Sequence, residues 1–169
     1  MIRSSPKTGS GQVQGGIAHA LELLQNKVEE LAGFYGGGLD FNQMVYPLWS
    51  ARDVLGHLVF WHESFARNLK DASEKRKPNP LKGSLAEVNR QSVDSNRGVS
   101  IEELIERLRK AQEIINEYIF DTSISLIPYK QGSRSYSRLE HLEVVTSHIG
   151  KHLKDLNKKL CPDQKTKKS

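Results

Sequence analysis

The chain has 169 residues, enough for one domain with its own core and short for two. Hydrophobic residues make up 37% and charged residues 27%, a globular balance that argues against a disordered chain, and no apolar run approaches the roughly 18 to 20 residues of a membrane span. The formal charge of +5 is concentrated late, at Lys151, Lys154, Lys158, Lys159, Lys165, Lys167 and Lys168, as a solvated helix face and tail; without interleaved aromatic and basic residues, nucleic acid is not an expected partner.

Residues 1–11 are rich in Ser, Gly and Lys and are expected to form a disordered leader. Arg3 and Lys7 have no apolar run behind them, so the segment does not read as a secretory signal and a cytoplasmic protein is expected. Residues 12–161 read as one helical bundle. Its first helix begins near Val13, because Ile17, Leu21, Leu24, Val28 and Leu31 recur at steps of four and three and share one face. Gly36, Gly37 and Gly38 end it. The second helix opens at Ser50, which can cap free backbone N–H groups while Asp53 returns the bond, and Val54, Leu58, Trp61, Phe65 and Leu69 continue its period.

Pro78 and Pro80 start a long connection, in which Leu85, Val88 and Val93 predict a short extra helix ending by Gly98. The third long helix starts at Ser100, with Glu103 three residues on, and runs through Leu104, Leu108, Ala111 and Ile115 to about Asp121. Ser123 to Ser135 reads as an irregular apolar loop over one end of the bundle. A fourth long helix follows Ser137, presents Leu142, Val145, Ile149, Leu153, Leu156 and Leu160 on one side, and closes at Pro162; residues 162–169 read as a basic, flexible tail. Four long amphipathic helices without a convincing strand pattern predict an all-α four-helix bundle. Cys161 is the single cysteine, which excludes an internal disulfide and a multi-thiolate metal site.

Histidines carry the chemical signal. His148 and His152 are four apart, so their side chains stack one turn apart and can ligate one ion. His57 lies between Val54 and Trp61 on the side that the period assigns to the interior, where an imidazole needs a partner. Either it is hydrogen-bonded in the core, or the three histidines share a divalent ion such as zinc, nickel or iron, for which neutral imidazole is a suitable ligand. His141, seven residues before His148, is a candidate hydrogen-bond donor to a ligand ring or an alternative ligand. His62 points elsewhere around its helix. Glu63 and Glu140 are the nearest carboxylates in sequence that could act as a base.

The run Trp49-Ser50-Ala51-Arg52-Asp53-Val54-Leu55-Gly56-His57-Leu58 resembles the W-S-x-x-[DE]-V-L-x-H-[LI] opening of helix two in the DinB/YfiT-like superfamily, and His148-Ile149-Gly150-Lys151-His152-Leu153 resembles its H-x-x-x-H on helix four. Val88-Asn89-Arg90 followed by Ser100-Ile101-Glu102-Glu103-Leu104 is similar to the ClbS/DfsB branch. The resemblance spans roughly residues 12 to 160 and implies a bundle in which His57, His148 and His152 hold a divalent ion with positions open to water or substrate. It includes thiol-dependent transferases and isomerases, and also relatives that do not use the metal. Two expectations follow: a metal-assisted transferase or hydrolase acting on a small molecule, or a non-catalytic or metal-independent bundle, either a small-molecule-binding protection protein of the ClbS/DfsB kind or a structural domain that pairs as a homodimer.

Overall fold

In the computed structural model, which describes residues 9–163, the chain folds as five helices and one small hairpin. Helix α1 (Gly9–Tyr35) is followed by strands β1 (Met44–Tyr46) and β2 (Trp49–Ser50), then α2 (Ala51–Ser73), α3 (Leu85–Asp94), α4 (Ile101–Tyr118) and α5 (Arg138–Leu160). Helices α1, α2, α4 and α5 make a four-helix bundle, with α2 against α4 and α1 against α5, and α3 lies on α2 as the extra helix of the long connection. No helix among the described residues is long and apolar enough to cross a membrane.

The helical periods become the core directly. Ile17, Leu21, Leu24, Val28 and Leu31 of α1 are buried, and they meet Leu142, Val145, Ile149, Leu153 and Leu156 of α5 and Leu104, Leu108 and Ile115 of α4. Local chemistry sets the starts. Full reciprocal capping boxes form at Ser50 with Asp53, Ser84 with Glu87, and Ser137 with Glu140, and Ser100 accepts from the Glu103 backbone N–H. In the Ser123–Ser135 loop, Ile124 and Ile127 are buried.

Two features differ from the sequence expectations. Helix α1 starts at Gly9, inside the segment expected to be a leader, because extending an existing helix fixes one residue per added hydrogen bond. The rest of that leader, residues 1–8, and the tail beyond Asp163 lie outside the described residues. The antiparallel β1–β2 hairpin was not expected; it pairs Met44 with Ser50 and Tyr46 with Trp49, and its strands of three and two residues are too short to show an alternating pattern.

The α2–α3 contact depends on a missing side chain. Asn96 Nδ2 donates to the Gly56 carbonyl at 2.8 Å, and a Cβ at Gly56 would stand 2.9 Å from Asn96 Cβ. Asn96 Oδ1 in turn accepts from Arg107 at 2.8 Å, and Arg107 grips Glu63 through two bonds of 2.8 and 2.7 Å. Gly150, on α5, has only Lys27 Cε within reach of a Cβ, at 3.8 Å. Gly56→Ala is therefore expected to destabilise the fold by about 1–3 kcal/mol through overpacking, and Gly150→Ala to stabilise it by roughly 0.5–1 kcal/mol. Urea unfolding of the two variants checks the opposite signs.

Candidate metal centre

His57 on α2 and His148 and His152 on α5 converge between the hairpin and α3. The Nε2 atoms of His57 and His152 each stand 3.1 Å from Nε2 of His148, and the candidate ligand atoms of all three lie within 4.8 Å of one another. His57 and His152 are buried and His148 is half-buried. Trp49 tilts against the His57 ring at 4.7 Å between centroids, and Tyr46 meets His152 edge-on at 5.7 Å.

The direction of two hydrogen bonds fixes which ring nitrogens carry protons. Ser92 Oγ donates to the Asn89 carbonyl at 2.6 Å, so at 2.8 Å from His57 Nδ1 it must accept. Tyr46 donates its phenolic proton to Asp155 at 2.6 Å, so at 2.8 Å from His152 Nδ1 it too must accept. Burial, then the Asp155 bond, raises the Tyr46 pKa, which keeps that proton in place. His57 and His152 are thus Nδ1–H tautomers, and each presents a bare Nε2 lone pair toward His148. A proton on His148 Nε2 can serve one of these acceptors well, not both.

The ionisation state suits the same role. Burial, reinforced by the neighbouring His148 and His152 rings, lowers the His57 pKa to about 2. Burial, with His152 and Lys151 nearby, lowers that of His148 to about 4, and burial with Lys151 lowers that of His152 to about 4 despite the opposing Asp155 charge. All three rings are neutral near pH 7, the form that ligates. Two nitrogens sharing an ion at about 2.1 Å stand roughly 3.0–3.4 Å apart, the separation of His148 from each of the other two rings.

The sequence profile of the DinB superfamily matches residues 17–156. This chain belongs to the DinB superfamily. Among solved structures it is similar to the mycothiol-dependent maleylpyruvate isomerase, with a TM-score of 0.68 and 14% identity over 83% of this chain. It is also similar to a histidine-to-alanine mutant of that enzyme, with a TM-score of 0.67 and 12% identity over 83% of this chain. The chain spans 60% of the length of each, and at such identities the likeness is one of fold. No protein of curated function matches the sequence.

Other candidates in this DinB bundle are placed elsewhere. His141 does not bond the triad: it is stacked on Phe65 at 3.8 Å between centroids, and the Nδ1 atoms of His57 and His152 have Ser92 and Tyr46 as their partners. The seven-residue spacing carries it about 10 Å along the helix from His148, too far for a direct contact. Glu63 is clamped by Arg107, and Glu140 caps α5 and pairs with Arg134 at 2.7 Å, so neither faces the triad as a free base. His62 is buried and donates from Nε2 to Gln112 at 2.8 Å, since Gln112 spends its amide on Asn116. Sequence reasoning missed Ser92, Tyr46 and Asp155; only Asp155, three residues after His152 on the same helix face, left a local signal.

A narrow cavity adjoins the triad at His148 and is lined by His62, Ser64, Asn68 and His141. His62 Nδ1, Ser64 Oγ, Asn68 Oδ1 and His141 Nδ1 are buried there without a protein partner. Burial lowers the His62 pKa to about 4, against the opposing Gln112 bond and Glu63 charge, and the His141 pKa to about 3. Because both folded values lie below the ordinary 6.5, the unfolded chain takes up protons first as the pH falls. Stability is expected to be flat above about pH 6.5 and to fall below it by about 1.4 kcal/mol per pH unit for each of these histidines, until its folded pKa is reached. Urea midpoints of metal-free wild type and His62→Gln/His141→Phe between pH 4 and 8 check this, the double variant showing the shallower acid limb.

Proposed function

We propose that the protein is a divalent-metal-dependent enzyme that acts on a small molecule as a transferase or hydrolase, with His57, His148 and His152 as ligands. The observation that carries this reading is the pair of bare Nε2 lone pairs, each 3.1 Å from the third ring's Nε2 and fixed from behind by Ser92 and by Tyr46 with Asp155. Zinc, nickel and iron all suit three imidazoles. When bound, such an ion supplies Lewis acidity that makes a hydroxyl or thiol nucleophile available near neutral pH. The chain's own residues do the rest: Ser92 and Tyr46 hold the rings in one tautomer, and Trp49 and Tyr46 wall the centre against bulk water on the hairpin side. The fold likeness to a mycothiol-dependent isomerase supports a thiol as co-substrate.

A metal-independent small-molecule-binding protein of the ClbS/DfsB kind is the second reading. It is favoured by one fact: a His148 Nε2 proton can satisfy one of the two facing lone pairs at 3.1 Å without any ion.

Elemental analysis of protein purified without a histidine tag separates the two. About one equivalent of metal per chain is expected, lost in His57→Ala/His148→Ala/His152→Ala while far-UV circular dichroism stays helical. Protein that takes up no metal even after reconstitution overturns the enzyme reading. Ser92→Ala and Tyr46→Phe, which keep all three ligands, are each expected to weaken metal affinity by roughly 10- to 100-fold in a chelator competition.

A further inference from the structure

A cleft of about 600 Å³ opens beside the triad, between the hairpin, α3 and α5, within the roughly 300–1,000 Å³ range of small-molecule sites. Its apolar wall is the hairpin: Tyr46, Pro47, Leu48 and Trp49 line it, and Leu48 at the tip is 81% exposed. Ala86 extends that wall from α3, and His152 forms the end that belongs to the triad. An exposed leucine next to a tryptophan and a proline in one concave surface is an apolar contact face that water leaves unsatisfied.

Three polar side chains of the same cleft, Asn89, Arg90 and Lys151, offer donors. Arg90 on α3 and Lys151 on α5 both line it, and neither forms a hydrogen bond or ion pair among the described residues. Asn89 spends its Oδ1 on the Trp61 indole N–H at 3.1 Å, which leaves its amide hydrogens. The acids nearby have other partners and form no ion pair with either cation, although the Glu87 charge is felt by Arg90: Glu87 accepts from the Ser84 backbone at 2.7 Å, and Asp155 accepts from Tyr46 at 2.6 Å. Arg90 and Lys151 therefore stand with positive charge on two walls of an apolar cleft whose end is a triad histidine.

We infer that this cleft takes a small organic anion with an apolar body. Its apolar part packs on Leu48, Trp49 and Ala86, and its carboxylate or similar oxyanion sits between the fork of Arg90 and the ammonium of Lys151. This names the substrate class of the proposed enzyme and so rests on the triad being its reaction centre, but the recognition itself needs no metal. A neutral apolar ligand would leave both cations unused.

The test is calorimetric titration of chelator-treated, metal-free protein with 1-naphthoate and with its neutral counterpart 1-naphthamide. The removal of metal prevents the carboxylate from binding as a ligand of an ion. Naphthoate is expected to bind about tenfold or more tighter than the amide, with an advantage that shrinks as salt rises. Arg90→Gln/Lys151→Gln should bring naphthoate down to the affinity of the amide, and Leu48→Ser should weaken both. Equal affinity for the two compounds, a preference that survives the double substitution, or no naphthoate binding at millimolar concentration overturns the inference. Because this titration is done without metal, its failure is separate from a failure of the metal analysis.

Discussion

The phenolic proton of Tyr46 belongs to Asp155, and much of the site follows from that direction. A phenol that donates at 2.6 Å to a carboxylate can only accept from His152 Nδ1, and this turns the lone pair of His152 Nε2 toward the other rings. The Ser92 hydroxyl, committed to the Asn89 carbonyl, does the same for His57. These bonds give the two small elements a purpose. The hairpin brings Tyr46 to α5, and α3 brings Ser92 to α2, so the pieces added to a plain four-helix bundle are the ones that orient its imidazoles.

The arrangement also explains why α2 is polar where it is buried. His57, His62, Ser64 and Asn68 are all inside, beside Val54, Leu58, Phe65 and Leu69. Buried polar groups are costly unless bonded. His57 has Ser92 and His62 has Gln112, whereas Ser64 Oγ and Asn68 Oδ1 find no protein partner. The apolar faces of α1, α4 and α5 supply the burial that offsets this, and the Arg107–Glu63–Asn96 cluster ties α4 to α2 and to the end of α3 on the other side of Gly56.

What could be read in the sequence is what local periodicity encodes. The four long helices, their Ser caps and their buried stripes follow from steps of three and four, and so do the inward placing of His57 and the shared face of His148 and His152; that the three meet at one point was implied by the resemblance to the DinB/YfiT-like motifs. The extra helix in the long connection was legible from Val88 and Val93. What was not legible depends on contacts between distant segments. Tyr46 reaches His152 across 106 positions of sequence and Ser92 reaches His57 across 35, and no spacing rule links them. His141 misled for the complementary reason: a shared helix face says nothing of height along the axis, and at its own level the neighbours are Phe65 and Tyr129. Glu63 was available as a base only until Arg107 came over from α4.

The central claim is that two hydrogen bonds lock His57 and His152 as Nδ1–H tautomers whose Nε2 lone pairs meet at His148. Long-range ¹H–¹⁵N correlation spectra of the imidazole rings in metal-free protein at pH 7 measure this directly. The account predicts unprotonated, pyridine-like Nε2 signals for both His57 and His152. A protonated Nε2 on either ring would contradict it.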